Sequence, residues 1–251
     1  MTSAAIVAVM APAVERGAGF HAYADRRSWF GIPHAGDVLS NLPFVVVGVV
    51  GLRRAFAAQP LPRSLVALVF AAIAGVGFGS GAYHADPSDA TLALDWAPIV
   101  LALGWLAALV VADRVDRRAG VAAALGLPAL ALSSVAVWSA GGGTAGGDMR
   151  WYVAVQATLV VVVALGAMVP AAAGTTAALG RGWVLAGVAA FVAARGLASR
   201  DDALLEAIGL SGHSLKHLAL GVASWCLIRA LPPAGGTVRA RSQSPSRRGA
   251  P

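Results

Sequence analysis

Two histidines open the last long apolar stretch of the chain, in the sequence SGHSLKHLAL at residues 211–220. His213 and His217 are four residues apart, so on an α-helix they lie on one face, one turn apart. Lys216 lies beside them. Ionisable side chains at the mouth of an apolar helix are costly unless they have partners. The pair therefore indicates a metal site or another polar site that is completed by groups from elsewhere in the chain.

A second set of polar residues lies between two earlier apolar stretches. Ser80 and His84 are four residues apart at the end of one stretch, and Asp95 follows the start of the next. Three neutral imidazoles suit Zn²⁺ and leave its fourth position for water. A metal held in this way activates water and polarises a carbonyl group. Asp95 could then orient the water, act as general base or hold a histidine ring, and Ser80 could donate to a developing oxyanion.

Each of these residues also has a plain structural interpretation. A single histidine at a helix end is usually a satisfied interfacial residue. Ser80 can bond to its own helix or ease packing beside Gly79. Asp95 can cap a helix or pair with Lys216, and Lys216 can extend towards the membrane surface. The combination of a third histidine, an aspartate and the histidine pair on one side favours the metal site.

Another polar cluster precedes the first apolar stretch and comprises Asp25, His34, Asp37, Ser40 and Asn41. Asp37 is predicted as a helix N-cap. Asn41 lies inside an apolar stretch and needs a partner on a neighbouring helix. Oxygen ligands of this kind can hold Ca²⁺, but His34 does not fit such a site.

The composition is that of a polytopic helical membrane protein. Of the 251 residues, 58% are hydrophobic and 12% charged, about half the charged fraction of a soluble domain. The net charge of +7 comes almost entirely from arginines in short gaps between apolar stretches and in the tail. That pattern is typical of cytoplasmic loops and argues against a nucleic-acid partner. Cys226 is the single cysteine, which excludes a disulfide framework and a CxxC metal site.

Seven apolar stretches are each close to the ~20 residues that span a bilayer. They are 37–57, 64–84, 91–112, 119–139, 151–171, 181–199 and 211–230. We therefore predict an all-α bundle of seven transmembrane helices. With this count the end of the second span and the starts of the third and seventh lie on one side of the membrane. His84, Asp95, His213, His217 and Ser80 are then able to converge at one depth.

The arginines also predict the orientation and the domain limits. The larger set lies on the side that holds the C-terminus, so the positive-inside rule predicts a cytoplasmic C-terminus and an external N-terminus. Residues 1–36 form an N-terminal polar or interfacial segment, 37–230 the transmembrane domain, and 231–251 a disordered basic tail. Trp96, Trp138 and Trp151 are predicted as interfacial anchors. The remaining acids are predicted in solvated loops: Asp86, Asp89, Asp201, Asp202 and Glu206.

Three blocks of sequence resemble the alkaline ceramidase family. They are YADRRSWFGIPHAGDVLSNLPF at 23–44, GFGSGAYHADPSDATLALDWAP at 77–98 and SGHSLKHLALG at 211–221. That family lies within a superfamily of seven-helix membrane hydrolases that includes the progestin and adipoQ receptors. The order and spacing of the blocks are similar to the family over most of residues 20–230, and they look more like its bacterial branch. The middle spans match only in hydropathy.

The resemblance implies a zinc-dependent amidase that cleaves the N-acyl bond of a ceramide-like membrane lipid. His84, His213 and His217 would match the zinc ligands, with Ser80 and Asp95 as the catalytic pair. Asp25 would match one calcium ligand, but His34 stands where the eukaryotic members carry a glutamate. Three alternatives stay open: a receptor or sensor with a structural zinc site, a hydrolase of a non-sphingolipid, and a transporter. No internal repeat supports the transporter.

Overall fold

The computed structural model describes residues 14, 17, 19–57, 60–141, 148–173, 175 and 177–233. Residues 1–13 of the predicted N-terminal segment and residues 234–251 of the predicted basic tail lie outside these residues. The described part of the chain contains nine α-helices and, apart from an isolated bridge between Trp29 and Ile32, no β-structure. In order they are α1 Ala35–Leu39, α2 Leu42–Ala55, α3 Arg63–Ala85, α4 Asp89–Arg114, α5 Arg117–Ala140, α6 Arg150–Met168, α7 Arg181–Ala198, α8 Asp201–Ile208 and α9 Gly212–Ala230.

Six helical stretches of the described chain are long and apolar enough to cross a membrane. They are Ala35–Ala55, Arg63–Ala85, Asp89–Arg114, Arg117–Ala140, Arg150–Met168 and Arg181–Ala198. The all-α class is therefore confirmed, and these six match the first six predicted spans. The seventh, α9, is 19 residues long but carries His213, Lys216 and His217 in its first two turns. Its membrane crossing, and hence the count of seven, stays a prediction.

Side chains that cap the backbone N–H groups mark the starts of three helices. Ser88 and Thr91 form a reciprocal capping box at the start of α4, which satisfies backbone donors that a helix end leaves open. Asp116 accepts from the backbone N–H of Ala119 at the start of α5, and Ser211 accepts from that of Ser214 at the start of α9. The last cap fixes where the histidine pair begins.

The first predicted span is broken near its start. A short turn at Ser40 and Asn41 separates α1 from α2, and the residue that precedes α1 is His34, with a left-handed backbone. The prediction that Asp37 is an N-cap is therefore wrong, because Asp37 lies inside α1. The side chain is completely buried. A carboxylate at this position is available to bind another element.

The helices form a bundle in which neighbours in sequence pack together. α3 packs against α2 and α4, α4 also against α5 and α6, and α7 against α9. Trp96 and Trp138 lie in this core instead of at its surface, and Trp96 stacks on Tyr152 with ring centroids 4.0 Å apart. Their predicted role as interfacial anchors is wrong, because the three rings fill the space between α4, α5 and α6.

A polar clip closes the end of the bundle opposite the histidines. The Asp113 carboxylate accepts from the backbone N–H groups of Ala178 and Leu179, at 2.6 Å from the first. Arg114 contacts the same carboxylate at 3.0 Å and donates to the Leu179 carbonyl. Arg114 is thus buried in a paired state that avoids an isolated charge, and it joins α4 to the segment before α7.

Candidate metal centre

Three histidines from α3 and α9 meet at one end of the bundle. His84 comes from the last turn of α3, and His213 and His217 come from the first two turns of α9. Each offers a ring nitrogen within 4.8 Å of those of the other two. His84 and His217 are 0% and 3% exposed, and His213 is partly buried. The predicted convergence of the three residues is confirmed.

The donor set fits a metal ion. Nε2 of His84 lies 3.1 Å from Nε2 of His213, close to the separation of about 3.4 Å between two nitrogen ligands of tetrahedral zinc. The three rings are nearly equidistant, with centroids 4.7 to 4.9 Å apart. Unprotonated nitrogens held this close are favoured by a cation between them. This His84, His213 and His217 group could therefore bind a metal ion.

The ring of His217 is oriented by the turn between α1 and α2. Ser40 Oγ donates to the Asp37 carbonyl at 2.9 Å and lies 2.8 Å from His217 Nδ1. Because the hydroxyl hydrogen points to the carbonyl, Nδ1 carries a hydrogen and donates it to Ser40. Nε2 of His217 is then the unprotonated nitrogen that can bind metal. Asn41 also donates to the Asp37 carbonyl, so its predicted need for a polar partner is met within this turn.

Two carboxylates hold the start of α9 in place. Asp37 Oδ1 accepts from the hydroxyls of Ser211 and Ser214 at 2.9 and 2.7 Å. Asp201, the first residue of α8, accepts from the backbone N–H of His213 at 2.8 Å and from that of Ala24 at 3.0 Å. Asp201 was predicted in a solvated loop and instead positions a candidate metal ligand, His213. These bonds fix the rotation of α9 and so the direction of both its histidines.

Asp95 and Ser80 lie beside the histidines on the wall of a cavity. The Ser80 hydroxyl lies close to the Asp95 carboxylate, and both side chains are buried. The cavity has about 930 Å³ of empty space, counting the space where it opens to the outside, and is lined by α2, α3, α4, α6, α7 and α9. Its polar residues at the histidine end are Ser80, Asp95, Lys216 and His217, and the rest of the wall is almost entirely aliphatic. Lys216 therefore faces inwards, against the prediction that it extends to the membrane surface.

The N-terminal segment covers the three histidines. The Tyr23 ring lies edge-on to His213 and His84, with centroids 4.3 and 4.7 Å away. Its hydroxyl bonds to that of Tyr83 at 2.7 Å, and Tyr83 lies 3.0 Å from Nδ1 of His21. Burial raises the pKa of the Tyr23 phenol, so it stays neutral and supplies an uncharged cover. Sequence patterns assigned no role to Tyr23 or Tyr83.

Asp25, the candidate calcium ligand, is bonded to Arg27. Arg27 Nε and a terminal nitrogen lie 2.7 Å from the two carboxylate oxygens, and Arg27 also donates to the Gly209 carbonyl. The Arg27 guanidinium lowers the pKa of the Asp25 carboxyl. His34 bonds through Nδ1 to the Asp25 carbonyl. A cation at Asp25 would have to displace Arg27. The bond from Arg27 to the Gly209 carbonyl fastens this segment to the α8–α9 turn, and Asp25 holds the guanidinium in place for it.

No family model, no curated protein and no solved structure matches the chain. The interpretation of the site therefore rests on its own residues and geometry.

Proposed function

We propose that the chain is a zinc-dependent membrane hydrolase that cleaves the amide bond of a ceramide-like N-acyl lipid. The products are a free fatty acid and a long-chain amine. The observation that carries the proposal is the arrangement of three metal-competent histidines beside a buried aspartate and serine at the polar end of an apolar cavity. The resemblance to alkaline ceramidases supports the same assignment.

Each residue of the site has a separate role in the proposed amide hydrolysis. Zn²⁺ bound by His84, His213 and His217 supplies Lewis-acid polarisation of the carbonyl and activation of water. Asp95 accepts a proton from the water whose oxygen adds to the carbonyl carbon, and returns it to the nitrogen as the C–N bond breaks. Ser80 donates a hydrogen bond to the carbonyl oxygen as negative charge develops there. Their burial strengthens each of these interactions.

The cavity suits the acyl chain of such a lipid. From Asp95 to Leu106 on α4, and from Lys216 to Leu227 on α9, the lining residues extend over eleven positions. This corresponds to a depth of about 16 Å, enough for about a dozen extended carbon atoms. The scissile carbonyl would lie at the polar end with the rest of the lipid directed outwards.

The proposed protein crosses the membrane seven times, with α9 as the last crossing. Its C-terminus is cytoplasmic and its N-terminus external, which places the three histidines at the outer surface. The support for this orientation is the excess of arginine at the opposite end of the bundle.

The decisive experiment measures bound zinc and fatty-acid release from acyl-labelled ceramide with the purified protein. We expect one zinc ion per chain, which His217→Ala loses. Asp95→Asn keeps the zinc and lowers release by about 100-fold or more, because general-base catalysis is lost. Asp116→Asn, an acid at the opposite end of the bundle, is the matched control and keeps wild-type release.

Three results would contradict the proposal or narrow it. A protein that binds no metal contradicts the zinc site, and undiminished release by Asp95→Asn contradicts the role of that residue. If the protein binds zinc and releases fatty acid from another N-acyl lipid but not from ceramide, the hydrolase stands and its substrate is that other lipid. Bound zinc with no release from either would favour the receptor.

A further inference from the structure

The chain contains one lysine, and it lies at the metal centre. Of the 19 lysine and arginine residues, 18 are arginines and only Lys216 is a lysine. Arginine therefore supplies every other basic side chain in the sequence. A lysine ammonium is a compact point charge, whereas a guanidinium is a wide planar fork. The exception occurs where the space for a cation is confined by histidines and a cavity wall.

The Lys216 ammonium lies against a metal-binding nitrogen and faces the cavity. Its Nζ lies 2.7 Å from Nε2 of His213, and because that nitrogen has a single lone pair, a metal ion bound there would free Nζ to bind a group in the cavity. Lys216 also lines the cavity with Asp95, Ser80 and His217. Any group that Nζ binds in the cavity is consequently next to the position that the three histidines enclose.

The charges around Lys216 leave room for an anion. Asp95 faces it from α4, Asp37 and Asp201 act on it from α1 and α8, and Arg195 opposes it from α7. Asp37 and Asp201 are already bonded to the start of α9. Zinc held by three neutral imidazoles would keep both its positive charges. Beside an apolar cavity these charges favour a bound anion, since an uncompensated buried charge is costly.

The shape of the cavity indicates what the ligand carries besides its anionic head. Beyond its polar end the wall is apolar for about 16 Å along α9, with Leu220 and Leu227 on the path. The one polar side chain there on α9, Ser224, donates to the Leu220 carbonyl of its own helix. A ligand that satisfies both parts has one anionic head and a long unbranched hydrocarbon chain. A carboxylate has the size and charge for the head.

We infer that Lys216 is the anion-binding residue of this cavity and holds the carboxylate of a long-chain fatty acid beside the metal-binding histidines. The origin of the acid, as the product of amide cleavage, rests on the proposed function. The binding itself depends on the ammonium, on the charge of a bound metal ion and on the apolar cavity, and it does not require amide cleavage. The alternative role for Lys216 is a fixed counterion of Asp95 that contacts no ligand.

A single lysine permits a direct test. The full-length zinc-loaded protein, in non-ionic detergent and grown on lysine labelled with ¹³C at the ε-carbon, gives one lysine side-chain resonance in NMR spectra. We expect palmitate to shift this resonance saturably and hexadecanol, with the same chain length and a neutral head, to leave it nearly unchanged. Equal shifts with both ligands, or no shift with palmitate, would overturn the inference.

Variants at position 216 give an independent measurement. Lys216→Met should weaken palmitate binding by about tenfold or more, as expected for losing a hydrogen bond to a charged group, and Lys216→Arg should restore part of it. Bound zinc is measured in both variants to show that the histidines are intact. Leu227→Trp at the far end is the matched control and should weaken palmitate and hexadecanol equally. Unchanged palmitate affinity in zinc-loaded Lys216→Met would also overturn the inference.

The outcomes separate this inference from the proposed function. A protein whose lysine resonance responds to palmitate, yet which cleaves no N-acyl lipid, sustains the inference and overturns the hydrolase. A protein that releases fatty acid with an unresponsive lysine resonance sustains the hydrolase and overturns the inference.

Discussion

At the scale of single residues, His217 depends on a hydroxyl 177 positions earlier in the chain. Ser40 accepts the hydrogen of Nδ1 and thereby directs the opposite ring nitrogen towards His84 and His213. A hydrogen-bonded outer partner fixes both the orientation and the tautomer of a metal-binding histidine. Ser40 is in turn held by the Asp37 carbonyl. The affinity of the centre for metal is therefore set partly by α1.

Ser40→Ala tests this dependence. Without the hydroxyl, the ring of His217 loses its fixed orientation, and we expect zinc affinity to fall by about 10- to 100-fold. The measurement is competition for zinc with a calibrated chelator. Ser133→Ala is the matched control, because the Ser133 hydroxyl bonds only to the Leu130 carbonyl of its own helix among the contacts described. Equal affinities in the two variants would show that Ser40 does not position the histidine.

Some site residues could be predicted from the sequence because regular helix geometry alone determines where they lie. His213 and His217 share a helix face by spacing alone, and counting apolar stretches brings His84 and Asp95 to the same end. Ser40 and Tyr23 reach the centre through a helix break and an irregular segment, which apolar periodicity does not encode. Asp201 looked like a solvated acid because its role depends on the backbone of α9 folding against it.

At the scale of elements, the close approach of α3 and α4 sets the position of Asp95 relative to His84. The contact is made at Gly79, where an added Cβ would collide with the carbonyl oxygen of Leu94. Leu94 precedes Asp95 in the chain. A side chain at position 79 would push α4 outwards and move the carboxylate away from the histidines.

Gly79→Ala is expected to lower stability, since forcing an extra group into a packed contact costs about 1–3 kcal/mol. Gly81→Ala is the matched control two residues away, where an added Cβ meets nothing within 4 Å. There alanine should be neutral or stabilising, by up to about 1 kcal/mol, because it favours the helix more than glycine does. Thermal unfolding in one detergent, followed by the helical circular-dichroism signal, compares the two. Equal midpoints would contradict the close approach.

Most element boundaries could be predicted because long apolar stretches leave little choice of structure. The second to fourth predicted spans differ from α3, α4 and α5 by at most two residues at either end. The break at Ser40 and Asn41 and the short helix α8 depend on polar contacts between distant segments. Neither changes the hydropathy pattern enough to be detected.

At the scale of the whole molecule, the two ends of the bundle differ in chemistry. One end carries the three histidines, the Tyr23 cover and the Asp25–Arg27 pair. The other carries the Asp113–Arg114 clip and exposed arginines such as Arg117 and Arg118. Arg114 is paired inside the bundle, so its position says nothing about which side of the membrane is cytoplasmic. Only the exposed arginines can indicate the cytoplasmic side. The orientation proposed above consequently depends on those exposed residues.

Labelling of single cysteines tests that orientation. Cys226 is buried, and Cys226→Ala supplies a cysteine-free background. Asp86→Cys, beside the candidate metal centre, should react with a membrane-impermeant maleimide on intact cells, because the proposed orientation places the histidine end outside. Arg118→Cys, at the other end of the bundle, should react only after the membrane is made permeable. The reverse pattern would place the histidines at the cytoplasmic surface, so that lipid substrate would reach them from the inner leaflet. Reaction of both cysteines on intact cells would mean that the two ends do not lie on opposite sides of a bilayer, and the proposed transmembrane topology would fail with the orientation.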